Sequence, residues 1–277
     1  MQKHREIIKK MTEILIKKDY LKDNLSKQRD RSRHIIIALL AKEESGNQPL
    51  TPTVFSYDYS PRHVAAIGSC LPTISLNSKD DLHNLIQQSA SLNSKHIFTI
   101  LSNQIYILFK EETIHDIQHT LQQLIEVIYS KTKLTFRFGV GLAAESKKDA
   151  RNSFLQAADA LKWTPVSHQA VELYQEMHGG ILFAGLPEEK AAHYAAKVLS
   201  GIPTDEKEEL KRLFLTYGEM NKSIEKSAQK LFLHRNTFQY KSNKIQHYTG
   251  YDPKIINEYV VLYAAFILDS LCHTENR

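Results

Sequence analysis

The sequence has few of the residues that build disulfide scaffolds, membrane spans or secretion signals. Its 277 residues include two cysteines, Cys70 and Cys272, and one tryptophan. Two distant cysteines are typical of buried small side chains or thiols in a reducing compartment. The apolar runs are shorter than a bilayer requires, and the charged start MQKHREIIKKMTEILIKK differs from a secretory signal. We therefore expect a globular, cytoplasmic protein with no membrane association and no need of a metal or cofactor to fold.

Positive charge is concentrated in two segments rather than spread along the chain. Residues 1–44 contain 12 Lys or Arg against 7 Asp or Glu, and residues 221–250 contain six basic residues against one acidic residue. A basic segment with acidic flanks is typical of a surface that binds a polyanion at one place.

The hydrophobic pattern divides the chain into four segments. Residues 1–44 are predicted to be helical, either packed on their own domain or serving dimerisation or signalling, and the pattern leaves both alternatives open. Residues 54–186 alternate strands with helices, which predicts an α+β domain with a hairpin tip at Ser102-Asn103. A helical connector over 187–204 leads to an all-α domain over 205–277, where Thr204 is a candidate cap.

Two helices separated by a tight turn are predicted within Asn221–Asp252. The first buries Ala228, and the second begins near His234 and buries Phe238 and Ile245. A helix-turn-helix uses this arrangement, because the first residues of its second helix contact base edges in the major groove. Arg pairs with guanine, Asn or Gln pairs with adenine, and Lys neutralises phosphates. The candidate DNA-binding residues are Lys222, Lys226, His234, Arg235, Asn236, Thr237, Gln239, Tyr240, Lys241 and Lys244.

Two of these candidates carry qualifications. His234 fits a helix cap better than a base contact. Tyr240 lies on the helix flank, where both DNA contact and core packing are open. The residues expected to point outward from the first half of the helix are Arg235, Asn236, Thr237, Gln239 and Lys241.

The block LFLHRNTFQYKSNKIQHYTGYD resembles the C-terminal helix-turn-helix of the carbohydrate diacid and purine catabolism regulators, the CdaR/PucR-type family of bacterial transcription regulators. The sequence departs from that family's pattern at three positions. Ser242 replaces an apolar residue, Glu225 stands where a Ser would cap the first helix, and Lys241 replaces Arg. Arg forms a bidentate fork that Lys lacks, so affinity is affected more than the mode of binding.

The resemblance extends to the middle of the chain. FRFGVGLA and NSFLQAADAL are similar to the closing strand and helix of a GGDEF-type cyclase domain. In active cyclases the hairpin carries glycines and metal-binding carboxylates, whereas Ser102-Asn103-Gln104 has neither. The resemblance implies a degenerate GGDEF-like domain that acts as a scaffold for dimerisation or effector sensing, and not as an enzyme.

Two other patterns have simpler interpretations. His115 and His119 have the spacing of two metal ligands, but no third ligand is evident, so a solvated helix face is expected. Gly139 and Gly141 lie inside a strand, which indicates close backbone packing rather than a nucleotide loop.

The sequence thus predicts a DNA-binding transcription regulator that controls a metabolic operon. We expect a homodimer on a double-stranded operator, with activation favoured over repression by the resemblance. A sensor or interaction protein that does not bind DNA, and a divergent nucleotide cyclase, are the alternatives.

Overall fold

The computed structural model describes residues 26–41, 57–71, 79–88 and 95–272. The chain forms two compact units. The first comprises Met1–Thr164 with Gln169–Glu176, and the second comprises Pro165–His168 with Met177–Arg277. The first unit therefore includes the helix over 26–40, and the second includes residues 177–199. This division differs from the expected segments 1–44, 54–186 and 187–204, whose functional boundaries stay predictions.

A five-stranded sheet organises the first unit. Its strands are β1 (His63–Leu71), β2 (Ile97–Leu101), β3 (Gln104–Lys110), β4 (Thr135–Ala144) and β5 (Val171–Leu173). They lie in the order β2-β3-β1-β4-β5, and every neighbouring pair is antiparallel except β4 with β5. The predicted hairpin is confirmed, because Ser102 and Asn103 connect β2 to β3 with φ values of 47° and 66°. Two central residues of positive φ give the twist that a two-residue hairpin favours.

Both faces of the sheet are covered. Its helices are α1 (26–40), α2 (Lys79–Gln88), α3 (Ile114–Thr132) and α4 (Lys147–Ser167). Successive side chains of β1 point to opposite faces, so Val64 and Ala66 join α2 and α3 in one core while Ala65 and Ile67 join α1 and α4 in another. The predicted α+β class is confirmed.

The described part of the N-terminal segment packs on its own unit. Ile35, Ile36 and Leu39 of α1 are buried in the core that also contains Phe154 of α4. For residues 26–40 this arrangement fits the first of the two alternatives, a helix packed on its own domain. Residues 1–25 lie outside the described residues, and a dimerising role for the segment stays a prediction.

The two glycines of β4 allow α4 to pack directly against the strand. A Cβ atom at Gly139 would overlap the carbonyl oxygen of Ala157, and one at Gly141 would overlap that of Ser153. The hydroxyl of Ser153 in turn donates to the carbonyl of Leu142 at 2.6 Å. The glycines therefore serve close backbone packing, as the sequence predicts.

The described part of the second unit is built of helices and their connections. The helices are α5 (Gly180–Ala184), α6 (Glu188–Leu199), α7 (Thr204–Glu219), α8 (Ile224–Lys230), α9 (Arg235–Thr249) and α10 (Ile256–Cys272). Their core includes Leu210, Phe214, Phe238, Ile245 and Phe266, all completely buried. Among the residues that the structure describes, no helix has both the length and the apolar character needed to cross a bilayer.

The start of α7 differs from the prediction. Pro203 occupies the N-cap position with no side-chain cap, and Thr204 is the first residue of the helix. Proline fixes its own φ in a range compatible with helix entry, so the chain enters α7 without the hydroxyl cap that we expected from Thr204.

Candidate nucleic-acid interface

A short helix, a tight turn and a longer helix form the predicted helix-turn-helix. Ser223 caps the first of them, α8, because its Oγ accepts the backbone N–H of Lys226 at 3.4 Å. The expectation that the cap lies at Glu225 is therefore wrong. Glu225 lies in the first turn, where its negative charge interacts favourably with the helix dipole.

The turn between α8 and α9 is held by two backbone hydrogen bonds. The N–H of Phe232 donates to the carbonyl of Gln229 at 3.1 Å, and that of Leu233 donates to the carbonyl of Ala228 at 2.8 Å. These are the two bonds of a Schellman motif, which ends a helix abruptly. The direction in which the chain enters α9 is thereby fixed by the backbone.

His234 caps α9, as its sequence context predicts. Its Nδ1 accepts the N–H of Asn236 at 3.3 Å. The cap leaves the next residues at the first turn of the helix, and Arg235, Asn236 and Thr237 are all exposed there. Because backbone N–H groups at a helix N-terminus favour negative charge, this end of α9 suits an approach to DNA.

One face of α9 is buried and holds the helix in place. Phe238 and Ile245 are completely buried, and the ring centroid of Phe238 lies 5.8 Å from that of Tyr217. Ser242 is also buried, so a serine occupies the core position where the family pattern has an apolar residue. The buried stripe fixes which residues of α9 face solvent.

The opposite face of α9 carries polar side chains and one aromatic ring. Gln239 is exposed, and Tyr240 is 64% exposed. The structure therefore places the ring of Tyr240 at the surface and not in the core. Asn243, which the sequence analysis did not select, is exposed one turn beyond Gln239. Because Asn243 is four residues from Gln239, both lie on the same helix face. This spacing could have identified Asn243 from the sequence.

Lys241 and Lys244 lie on the side of α9 that faces α7. Lys241 Nζ donates to Glu209 Oε2 at 2.7 Å, a surface ion pair that the sequence analysis did not anticipate. Lys244 Nζ donates to both carboxylate oxygens of Glu206, at 2.9 and 2.7 Å. Both lysines therefore have acidic partners within the same unit.

The ion pair of Lys244 shifts the pKa values of both its members. The hydrogen bond from Lys244 lowers the pKa of Glu206, and the same bond raises the pKa of Lys244. The hydroxyl of Tyr248 also donates to Glu206 Oε1, at 3.1 Å. Both groups are consequently charged at neutral pH and neutralise each other locally.

The basic residues of α8 and its entry differ in their surroundings. Lys222 Nζ donates to the carbonyl of Lys254 at 2.9 Å and lies 5.0 Å from the ring centroid of Tyr259. Lys226, by contrast, is exposed in the first turn of α8. Of the predicted phosphate contacts, Lys226 is thus the one whose side chain extends from the surface.

The first unit contains the histidine pair and the hairpin tip that the sequence analysis considered as possible metal sites. His115 and His119 are exposed on α3, and no group of three or more potential metal ligands occurs in the part of the chain that the structure describes. The hairpin tip at Ser102 and Asn103 provides hydroxyl and amide groups and no carboxylate.

Two family models each match one region of the chain. Residues 53–163 match the model of the GGDEF-like domain, and residues 210–268 match that of the PucR C-terminal helix-turn-helix domain. The second match covers α8, the turn and α9 together with most of α7 and α10. The fold and the candidate interface therefore define a transcription regulator of the helix-turn-helix class.

Two individual proteins are also similar. An uncharacterized protein of Haemophilus influenzae is 23% identical over 272 residues, which cover 97% of this chain and 73% of that protein. The crystal structure of the regulator of polyketide synthase expression from Bifidobacterium adolescentis is 16% identical, with a TM-score of 0.35, over 89% of this chain and 93% of that one. The two matched domains are the two domain types that the resemblance to the CdaR/PucR-type regulators implies.

Proposed function

We propose that this chain regulates transcription by binding a specific DNA sequence through α9. The observation that carries the proposal is the exposed first turn of α9, where Arg235, Asn236 and Thr237 follow the His234 cap. Their side chains have the hydrogen-bonding groups that distinguish base edges in the major groove. Gln239, Tyr240 and Asn243 extend the same contact surface along the helix.

Phosphate contacts fix the register of α9 on the duplex in this proposal. Lys226 is exposed at the start of α8, the helix that crosses the DNA backbone in a helix-turn-helix. Lys222, Lys241 and Lys244 contribute positive charge from positions where each already has a partner. Their phosphate contacts therefore require exchange of those partners.

The regulator acts as a homodimer in this proposal, and activation is favoured by the resemblance to the CdaR/PucR-type family. A symmetric dimer binds two half-sites about 10 bp apart or a multiple of that distance. The GGDEF-like domain serves as a non-catalytic scaffold for dimerisation or effector sensing. Support for that role comes from the hairpin tip, since Ser102 and Asn103 offer no carboxylate to hold a metal ion. Incubation with GTP and Mg²⁺ is expected to give no product.

Selection from a random DNA library tests the proposed function. The full-length protein is expected to enrich one short motif in two copies, and an R235A/N236A double variant is expected to enrich none. An H115A/H119A double variant is the matched control, because it changes two exposed polar residues on α3 and should enrich the wild-type motif. Enrichment of no motif by the wild type would favour a sensor that binds another protein.

Immunoprecipitation from cells extends the test to the genome. The tagged wild type is expected to give a few sharp peaks that contain the selected motif and vanish in the R235A/N236A variant. Their positions relative to promoters would identify the regulated operon. Peaks that persist in the double variant would contradict the role of α9.

A further inference from the structure

Phe232 is the most exposed of the large apolar side chains that the structure describes. It is 96% exposed, although it lies between two leucines of the turn that are half-buried. Exposure of a whole phenyl ring to water is unfavourable, because transfer of apolar surface out of water stabilises a protein. A single exposed apolar side chain is common at protein surfaces, so the exposure of Phe232 gains meaning only together with its backbone conformation and its position.

The backbone of Phe232 is also in an unfavourable conformation. Its φ is 55°, in the left-handed region, where it occupies the position that ends the Schellman motif. Glycine is the usual residue there because a Cβ atom is disfavoured at positive φ. A bulky side chain at such a position is a true outlier, and outliers of this kind cluster at functional sites.

The ring of Phe232 does not pack in the core of its unit. Leu233 lies at the position whose side chain normally packs back on the preceding helix in this motif, and both Leu231 and Leu233 pack against the helical core. The turn itself is held by backbone bonds from Phe232 and Leu233 that do not depend on their side chains. Both the exposure and the conformation of Phe232 are therefore unexplained by the stability of the unit.

The position of Phe232 relates it to the candidate DNA interface. It stands two residues before the His234 cap and three before Arg235, at the end of α9 that enters the groove in a helix-turn-helix. A phenyl ring has no N–H or O–H group to donate to a phosphate oxygen. The apolar group that the major groove presents is the 5-methyl of thymine, which Phe side chains contact.

We propose that Phe232 is a specificity-determining residue whose ring packs on a thymine methyl group at the edge of each half-site. The inference rests on the proposed function, since it requires that α9 bind in the major groove. It adds an apolar contact to the hydrogen bonds of Arg235 and Asn236. It also gives a reason for a phenylalanine at a position where glycine would be less strained.

Replacement of single thymines by deoxyuridine tests the inference, because this removes the methyl group and leaves base pairing unchanged. The probe is the duplex that the wild type selects from the random library. At one thymine position of each half-site, replacement by uracil is expected to lower the affinity of the wild type about three- to fivefold, because one methyl group is no longer buried. The F232G variant is expected to bind the thymine duplex less tightly and to show no further loss with uracil at that position.

The variant controls separate loss of contact from loss of fold. Glycine relieves the positive φ, so F232G is expected to melt at the same temperature as the wild type or a few degrees higher. F232A, which lacks the ring but retains Cβ, is expected to share the insensitivity to uracil. R235A is expected to keep the uracil effect, because its ring at position 232 is intact.

Three outcomes would overturn the inference. F232G could bind the selected duplex as tightly as the wild type, which would assign the ring to a contact other than DNA. Wild type and F232G could instead lose affinity equally at every uracil, which would show that the ring meets no methyl group. In both cases a base-specific loss in R235A would leave the proposed function standing. If the wild type selects no motif, both proposals fall.

Discussion

The ammonium group of Lys244 donates to both carboxylate oxygens of Glu206, at 2.9 and 2.7 Å. The two residues are 38 positions apart in the sequence and lie on α9 and α7 of one unit. Together with the pair of Lys241 and Glu209, this contact neutralises one flank of α9. In the proposed function, the flank that remains for DNA is the exposed one with Asn236, Gln239, Tyr240 and Asn243.

Removal of the Glu206 charge is expected to strengthen DNA binding of all sequences alike. E206Q removes the partner that Lys244 must otherwise exchange for a phosphate, so the affinity should rise by a similar factor for every duplex at low salt. The measurement is binding of the selected duplex and a scrambled duplex over a salt series. E208Q is the matched control, because Glu208 lies on the same helix and pairs with Lys211 instead. Equal affinities of the two variants would show that Glu206 does not hold Lys244 back from DNA.

Arg235 is expected to determine the preference for one base pair. R235A should lose about 1–3 kcal/mol of discrimination at a single position, because a guanine loses its bidentate partner. Competition binding with every single-base variant of the selected duplex measures this loss. The comparison is K226A, which should weaken all duplexes by a similar factor and flatten the salt dependence. A uniform loss in R235A would assign Arg235 to phosphate instead.

Gly139 is expected to tolerate no side chain. G139A should lower the free energy of unfolding of the first unit by about 1–3 kcal/mol, because its Cβ would overlap the backbone of α4 at Ala157. Trp163, the one tryptophan of the sequence, lies on α4, so its fluorescence during denaturation reports on this packing. G179A is the control, since no atom lies within 4 Å of the added group. A normal transition for G139A would contradict the packing.

His96 is expected to make the first unit less stable in mild acid. Burial lowers the pKa of His96 from 6.5 to about 4, and the attraction of Glu112 opposes this only in part. The unfolded chain therefore takes up a proton below pH 6.5 that the folded unit accepts only near pH 4. Stability is lost as the pH falls through this interval, by up to about 3 kcal/mol.

The free energy of unfolding of the wild type and of H96Q is measured from pH 7 to about 4, with Trp163 fluorescence as the signal. The difference between the two proteins gives the contribution of His96. The amide of glutamine retains an acceptor for the N–H of Lys110, which donates to His96 Nδ1 at 3.1 Å. H119Q, which changes an exposed histidine of α3, should behave as the wild type does. The same pH dependence in H96Q and the wild type would contradict the assignment.

Local sequence signals were enough for the parts of the fold that depend on neighbours along the chain. The hairpin at Ser102-Asn103, the cap at His234 and the buried faces of Phe238 and Ile245 all follow from turn chemistry, capping and a helical period. The resemblance to a known family added the two domain types, which the family matches confirm.

The features that the sequence analysis missed depend on tertiary structure or on one-residue shifts. Lys241 meets Glu209 only because α7 packs beside α9, and no local pattern contains that contact. The caps at Ser223 and Pro203 lie one or two positions from the expected ones, which is the scale at which helix ends are hard to place. The strain at Phe232 is visible only as a backbone angle.

The exposed and buried faces of α9 separate two properties that evolution can change independently. Phe238, Ser242 and Ile245 secure the helix, whereas Arg235, Asn236, Gln239 and Asn243 make no contribution to the core. Substitutions at such surface positions usually change stability by less than about 0.5 kcal/mol. After gene duplication, one copy of this regulator could therefore acquire a new operator through a few side-chain exchanges while the scaffold stays intact.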